Sequence, residues 1–156
     1  MSAFRSDRTQ RTGGGVVTYL RTEFAVSSEL KHSNSYCESL GLHIPQLDLA
    51  LVTMYRPPKC PGFKLKESLE EVRDWLASLE REGKPTPAIF LSGDFNLGFL
   101  EDWESEKFDE IKWAVDNRNK EGKTVAADRS QALMLVQFVE DHFLQQQIRE
   151  GTRREQ

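Results

Sequence analysis

The chain has 156 residues, enough for a domain with a buried core. Its 38% apolar and 29% charged composition excludes a disordered chain, and no apolar run approaches the length of a membrane-spanning helix. The formal net charge of −4 argues against a broadly basic surface built to neutralise phosphates.

The N-terminal stretch MSAFRSDRTQRT is polar and basic, with no apolar run behind it, and does not read as a signal peptide. Arg5, Arg8 and Arg11 at this end, and Arg149, Arg153 and Arg154 at the other, read as solvated charge. Gly13 to Gly15 read as a flexible turn. No helix pattern follows them, so they lack the context of a phosphate-binding loop. Val16–Leu20 and Phe24–Leu30 predict a hairpin that turns at Thr22 and Glu23. Residues 33–44 are polar and specify no clear element.

LDLALVTMY predicts a strand with Leu47, Leu49 and Leu51 on one face and Ala50, Val52 and Met54 on the other, both buried. RPPKCPG stops it, because proline removes a donor and fixes φ. Cys37 and Cys60 are far apart in sequence and lack C-x-x-C spacing. This argues against a disulfide framework and a zinc site, and for a reducing compartment. Leu65, Leu69, Val72, Leu76 and Leu79 make one helical stripe, predicting a helix to Glu82 that ends at Gly83 and Pro85.

Ala88 to Leu91 predict a buried strand. SEKFDEIKWAV reads as a short amphipathic helix and NRNKEGKT as a loop. Asp128 and Gln131 have loose capping-box spacing, and Ala132, Leu135, Val136, Val139 and Phe143 supply the stripe of a last helix. His142 stands near its end, where a cation is favourable. The order is β-β-β-α-β-(α)-α, an α/β class with a central, two-faced sheet in a single domain over residues 1–156.

The chemistry-bearing stretch is AIFLSGDFN. Asp94 and Asn96 stand at a strand's exit and share a side if the chain stays extended through Phe95. Gly93 lets another backbone or a ligand come close. Asx residues beside glycine are also ordinary turn formers, and that reading stands beside the functional one. Tyr55 and Arg56 leave the other strand just before Pro57, where a phenol and a guanidinium could both donate to a phosphate. An aromatic shielding a core edge is the plainer reading of Tyr55. The three histidines, His32, His43 and His142, have no metal-cage spacing. Ser92 has no nucleophile-elbow motif. Trp75, Trp103 and Trp113 read as packing residues.

GGGVVTYLR, LALVTMYRPP, AIFLSGDFN, FLEDW and LMLVQFVEDHFLQQQIREGTR occur in this order. In these motifs the chain resembles the endonuclease/exonuclease/phosphatase superfamily, the fold of DNase I. Within it, the chain is most similar to the endonuclease domains that non-LTR retrotransposons carry beside a reverse transcriptase. The resemblance implies a four-layered α/β sandwich and magnesium-dependent hydrolysis of a phosphodiester, with DNA as substrate and a reverse transcriptase domain as a partner in a longer parent chain. It implies an intracellular setting, nuclear or cytoplasmic, away from membranes. It assigns Asp94 as the acid that orients and deprotonates the attacking water. Asn96 becomes the amide near phosphate and metal, and Tyr55 the phosphate-contacting phenol. Arg56 becomes added positive charge for the same phosphate.

The family's metal-binding glutamate strand and its closing aspartate-histidine pair have no counterpart in the sequence, so the domain reads as incomplete at both ends and its metal ligands as unknown. Two other readings follow from the same resemblance: an inactive remnant of the domain, and a superfamily phosphatase or phosphodiesterase acting on a phosphoinositide or sphingomyelin-type substrate. Two strands, Leu47–Tyr55 and Ala88–Phe95, are expected to be neighbours, which would bring Tyr55, Asp94 and Asn96 to one sheet end.

Overall fold

The computed structural model describes residues 1–8, 14–80, 86–97 and 123–145. The chain divides into two compact units, Met1–Asn96 and Leu97–Gln156. The first unit contains strands β1 (Ser2–Ser6), β2 (Val16–Leu20), β3 (Ser28–Ser33), β4 (Glu38–Ile44), β5 (Leu49–Tyr55) and β6 (Ala88–Asp94), with helix α1 (Gly62–Leu79) between β5 and β6. The second contains helix α2 (Lys123–Asp141). The protein is thus mixed α/β. Among the described residues no helix is long and apolar enough to cross a membrane.

The strands make two sheets. β1 and β2 pair antiparallel by themselves. The larger sheet runs β3-β4-β5-β6, antiparallel except for the parallel β5–β6 pair. A parallel pair needs a crossover, and α1 supplies it. One face of the larger sheet meets the small sheet: Val16 of β2 is buried with Leu40 and Leu42 of β4, and Phe4, Val26 and Tyr55 pack around them. Thr18 Oγ1 and Thr53 Oγ1 are hydrogen-bonded across this interface at 3.1 Å.

The opposite face carries α1, which touches β3 and β4. Its buried stripe is Leu65, Leu69, Val72 and Leu76, joined by Trp75. Each such side chain contributes about 1.5–3 kcal/mol by leaving water. The Trp75 ring lies over Gly41, where an added Cβ would stand 2.7 Å from it, and the indole N–H donates to Ser28 Oγ at 3.0 Å. Glycine in mid-strand is therefore the site of a close helix-to-sheet approach. The layers of the first unit run sheet, sheet, helix.

Several elements differ from the sequence reading. The polar N-terminus is not a free end: Ser2–Ser6 is a strand, and it, not the segment after Thr22, is the partner of β2, with Arg5 still exposed to solvent. The segment after Thr22 becomes a strand only at Ser28 and pairs with β4, so the predicted hairpin does not form. β4 comes from the stretch without a clear pattern. Its residues are buried on both faces, so no alternation marks it.

Leu47 is not in β5 but in a single 3-10 turn, Pro45–Leu47, and is 49% exposed. In β5 only Ala50, Val52 and Met54 are fully buried. β6 is not a buried strand. It ends the sheet's strand order, and Phe90 is 53% exposed.

In the second unit α2 starts at Lys123, so Asp128 lies inside the helix and not at its start. Ala132, Leu135 and Val136 are buried as the stripe requires, with Gln131 and Phe138 beside them. Phe143 falls beyond the helix at φ 53° and is 93% exposed. The short helix expected at SEKFDEIKWAV lies outside the described residues, as do Arg11, Gly13, Trp103, Trp113 and the C-terminal arginines.

Candidate functional site

Parallel pairing and one crossover bring the C-terminal ends of β5 and β6 to the same sheet edge. Their last register pair is Tyr55 with Asp94. On the other side of β5, Tyr55 pairs with Glu38 at the start of β4. Residues directly opposite in a ladder share a face. Glu38, Tyr55 and Asp94 therefore form one row across three strands, on the face toward the small sheet. Tyr55 and Asp94 stand at the carboxyl ends of the parallel pair, and Glu38 at the start of the antiparallel β4.

Tyr55 is half-buried, its ring against the Val16, Leu40 and Leu42 cluster. The Arg8 guanidinium lies 5.7 Å from the ring centroid, within reach of a cation–π attraction. Arg8 also forks onto Glu38: Nε donates to Oε1, and Nη2 to Oε2 at 3.1 Å. The Glu38 side chain is fully buried and that of Arg8 is 15% exposed. Hydrogen bonding to Glu38 holds the Arg8 pKa above its ordinary value, against the opposing effect of burial, with Tyr55 adding to the upward pull. A buried carboxylate is tolerable only when paired in this way.

Asp94 is exposed at the tip of β6. Its carbonyl accepts from the Arg56 N–H at 2.9 Å, which continues the ladder one residue past β5. Gly93, at φ 154°, presses on β5 so closely that a Cβ there would stand 1.9 Å from the Met54 carbonyl oxygen. The backbone that approaches Gly93 is the neighbouring strand, and this contact fixes where Asp94 emerges.

β6 ends at Asp94, and Asn96 adopts a left-handed φ of 49°. Extension does not persist through Phe95, so strand alternation does not place Asn96 beside Asp94. Instead Asn96 Nδ2 donates to the Arg56 carbonyl at 2.9 Å. Arg56 answers with Nη1 donating to the carbonyls of Phe95 at 3.2 Å and Asn96 at 3.1 Å. The Arg56 residue is 1% exposed. The structure thus places Arg56 as a buried clip on the chain leaving β6. Asn96 is the other half of that clip.

Glu38 of the row, and Arg8 that pairs with it, carry no signal in the sequence. Arg8 is hidden in a charge cluster that reads as solvent-facing. Glu38 sits in a segment with no periodicity, and only the pairing of β4 with β5 reveals it. Among the described residues no three His, Cys, Asp or Glu side chains converge as a metal cage. Asp94 offers a single exposed carboxylate, whereas magnesium takes an octahedral shell of oxygens. Comparison of the chain with protein-family models, with curated proteins and with solved structures finds no match.

Proposed function

We propose that the chain is a phosphodiester hydrolase domain of the endonuclease/exonuclease/phosphatase type, acting on DNA, with a four-layered sandwich as its complete fold and a retroelement reverse transcriptase as the neighbouring domain. The observation that carries this reading is the terminal pairing of Tyr55 with Asp94 on parallel strands. It sets an exposed carboxylate beside a phenol on a rigid support. Asp94 takes the proton from an attacking water, and the Tyr55 hydroxyl donates to a phosphate oxygen. Arg8 and Glu38 hold the phenol's side of the row in place. Arg56 and Asn96 position the chain that leaves Asp94.

Magnesium belongs to this proposal through the sequence resemblance, and when bound it would neutralise phosphate charge. The described residues do not by themselves supply its shell. The test is plasmid nicking with magnesium, with and without chelator, by the 156-residue chain and by a longer parent chain. The longer chain is expected to nick in a chelator-sensitive way and the 156-residue chain to nick little. Nicking that survives Asp94→Asn would exclude Asp94 as the proton acceptor.

A further inference from the structure

Cys37 and Cys60 are distant in sequence, yet their sulfurs lie 3.3 Å apart. Both are thiols, 0% and 4% exposed. Cys37 closes the tight turn that leads into β4, where the Asn34 N–H donates to the Cys37 carbonyl at 3.1 Å. Asn34 Oδ1 accepts from the N–H groups of Tyr36 and Cys37, at 2.9 and 2.8 Å. Asn34 Nδ2 donates to the Lys64 carbonyl and to Ser68 Oγ, each at 3.0 Å, which moors this turn to α1. Cys37 is therefore rigidly held. Cys60 lies in the Pro57–Pro61 connection between β5 and α1, outside any helix or strand.

The two sulfurs are also chemically unlike. The Cys60 Sγ also lies 3.3 Å from the Pro61 carbonyl. The hydrogen bond with Cys37 lowers the Cys60 pKa, burial opposes this, and the Arg56 charge assists it. The same hydrogen bond, with burial, raises the pKa of Cys37. One sulfur is suited to act as nucleophile and the other to follow it.

We propose that Cys37 and Cys60 form a dithiol site that is oxidised by peroxide to a reversible intramolecular disulfide. The Cys60 thiolate attacks one peroxide oxygen. The O–O bond breaks and the departing hydroxide leaves as water, giving a sulfenic acid on Cys60. Cys37, losing its proton, attacks the Cys60 sulfur. The S–O bond breaks and a second water leaves as the S–S bond forms. Two thiols thus supply the two electrons and two protons that turn one hydrogen peroxide into two waters. The sulfurs must close from 3.3 Å to about 2.05 Å. The product ties the turn before β4 to the segment just behind Tyr55 and Arg56.

The test is intact-mass spectrometry of the reduced 156-residue chain after stoichiometric hydrogen peroxide, without reductant. The expected product has lost the mass of two hydrogens and resists thiol alkylation under denaturing conditions. It yields a Cys37–Cys60 linked peptide and reverts with dithiothreitol. Cys37→Ser is expected to stop at oxygen addition on Cys60. Wild-type protein that only gains oxygen, forms disulfide-linked dimers, or keeps both thiols alkylatable would overturn the proposal. These wild-type readouts do not depend on any variant folding, nor on nuclease activity.

Discussion

Tyr55 and Asp94 end adjacent parallel strands as a register pair, one half-buried against the inter-sheet core and the other exposed to solvent. Their separation is set by backbone hydrogen bonds and not by a flexible loop. In the proposed reaction such a pair would hold a phosphate and its attacking water in fixed relation, the kind of positioning that raises rates.

The first prediction follows from their different tasks. In a nicking-competent chain, Asp94→Asn removes the proton acceptor and is expected to lower the rate by about 100-fold or more. Tyr55→Phe keeps the ring that packs on Leu40 and Leu42 and loses only a donor, so a smaller loss is expected, about tenfold, or ~1.4 kcal/mol. Single-turnover rates on one nicked site check the order. Equal losses would mean that the phenol does more than donate.

How much of this is legible in the sequence differs by element. The α1 stripe and the β5 alternation are readable because amphipathic periodicity reports burial directly. Gly-Asp at a strand exit is readable because side-chain type and position are local. β1 and β4 are not. Ser2–Ser6 is polar enough to pass for a free end, and it becomes a strand through pairing with β2. Glu38 is buried with Arg8, which reaches it from the start of the chain, a contact between residues that no local pattern connects. Arg56 has a task that its residue type does not announce. It is buried, and its Nη1 donates to the Phe95 and Asn96 carbonyls, contacts made across some forty residues of chain that no local pattern connects.

The second prediction concerns the Arg8–Glu38 fork. Arg8→Ala leaves a fully buried carboxylate without its partner and is expected to destabilise the fold by about 3–5 kcal/mol. Adding Glu38→Gln removes the orphaned charge and is expected to restore part of that loss. Because the folded Arg8 pKa is raised, the pair's stabilisation is present below the ordinary arginine range and is lost only as pH rises through the raised value. Denaturant midpoints at neutral and at moderately alkaline pH are therefore expected to show no loss from Arg8. Strict additivity of the two substitutions would contradict the coupling.

The third prediction tests Gly93. A methyl there cannot coexist with the Met54 carbonyl at its present position. Gly93→Ala is expected to push β6 off β5, destabilising the protein by at least ~1–3 kcal/mol through overpacking and backbone strain. Thermal unfolding measures the loss, and amide exchange at Arg56 locates it, since that N–H donates to the Asp94 carbonyl. A neutral substitution would mean that the two strand ends are not held in this register.

The last prediction concerns thiol reactivity. Alkylating agents consume the thiolate, so the rate at each cysteine rises as pH climbs through that cysteine's pKa. Cys60 sits below its ordinary value and Cys37 above it. Cys60 is therefore expected to react first, with a rate midpoint lower than that of Cys37, which lags. Exposure alone would also favour Cys60, but it would not move the midpoint, so the pH profile separates the two causes. Cys37→Ala removes the hydrogen-bond partner that lowers the Cys60 pKa, and the Cys60 midpoint is expected to shift upward. Peptide-resolved iodoacetamide labelling over a pH series makes the measurement. If Cys37 reacted first, or the Cys60 midpoint ignored Cys37→Ala, the two sulfurs would not form the polarised pair that their contact implies.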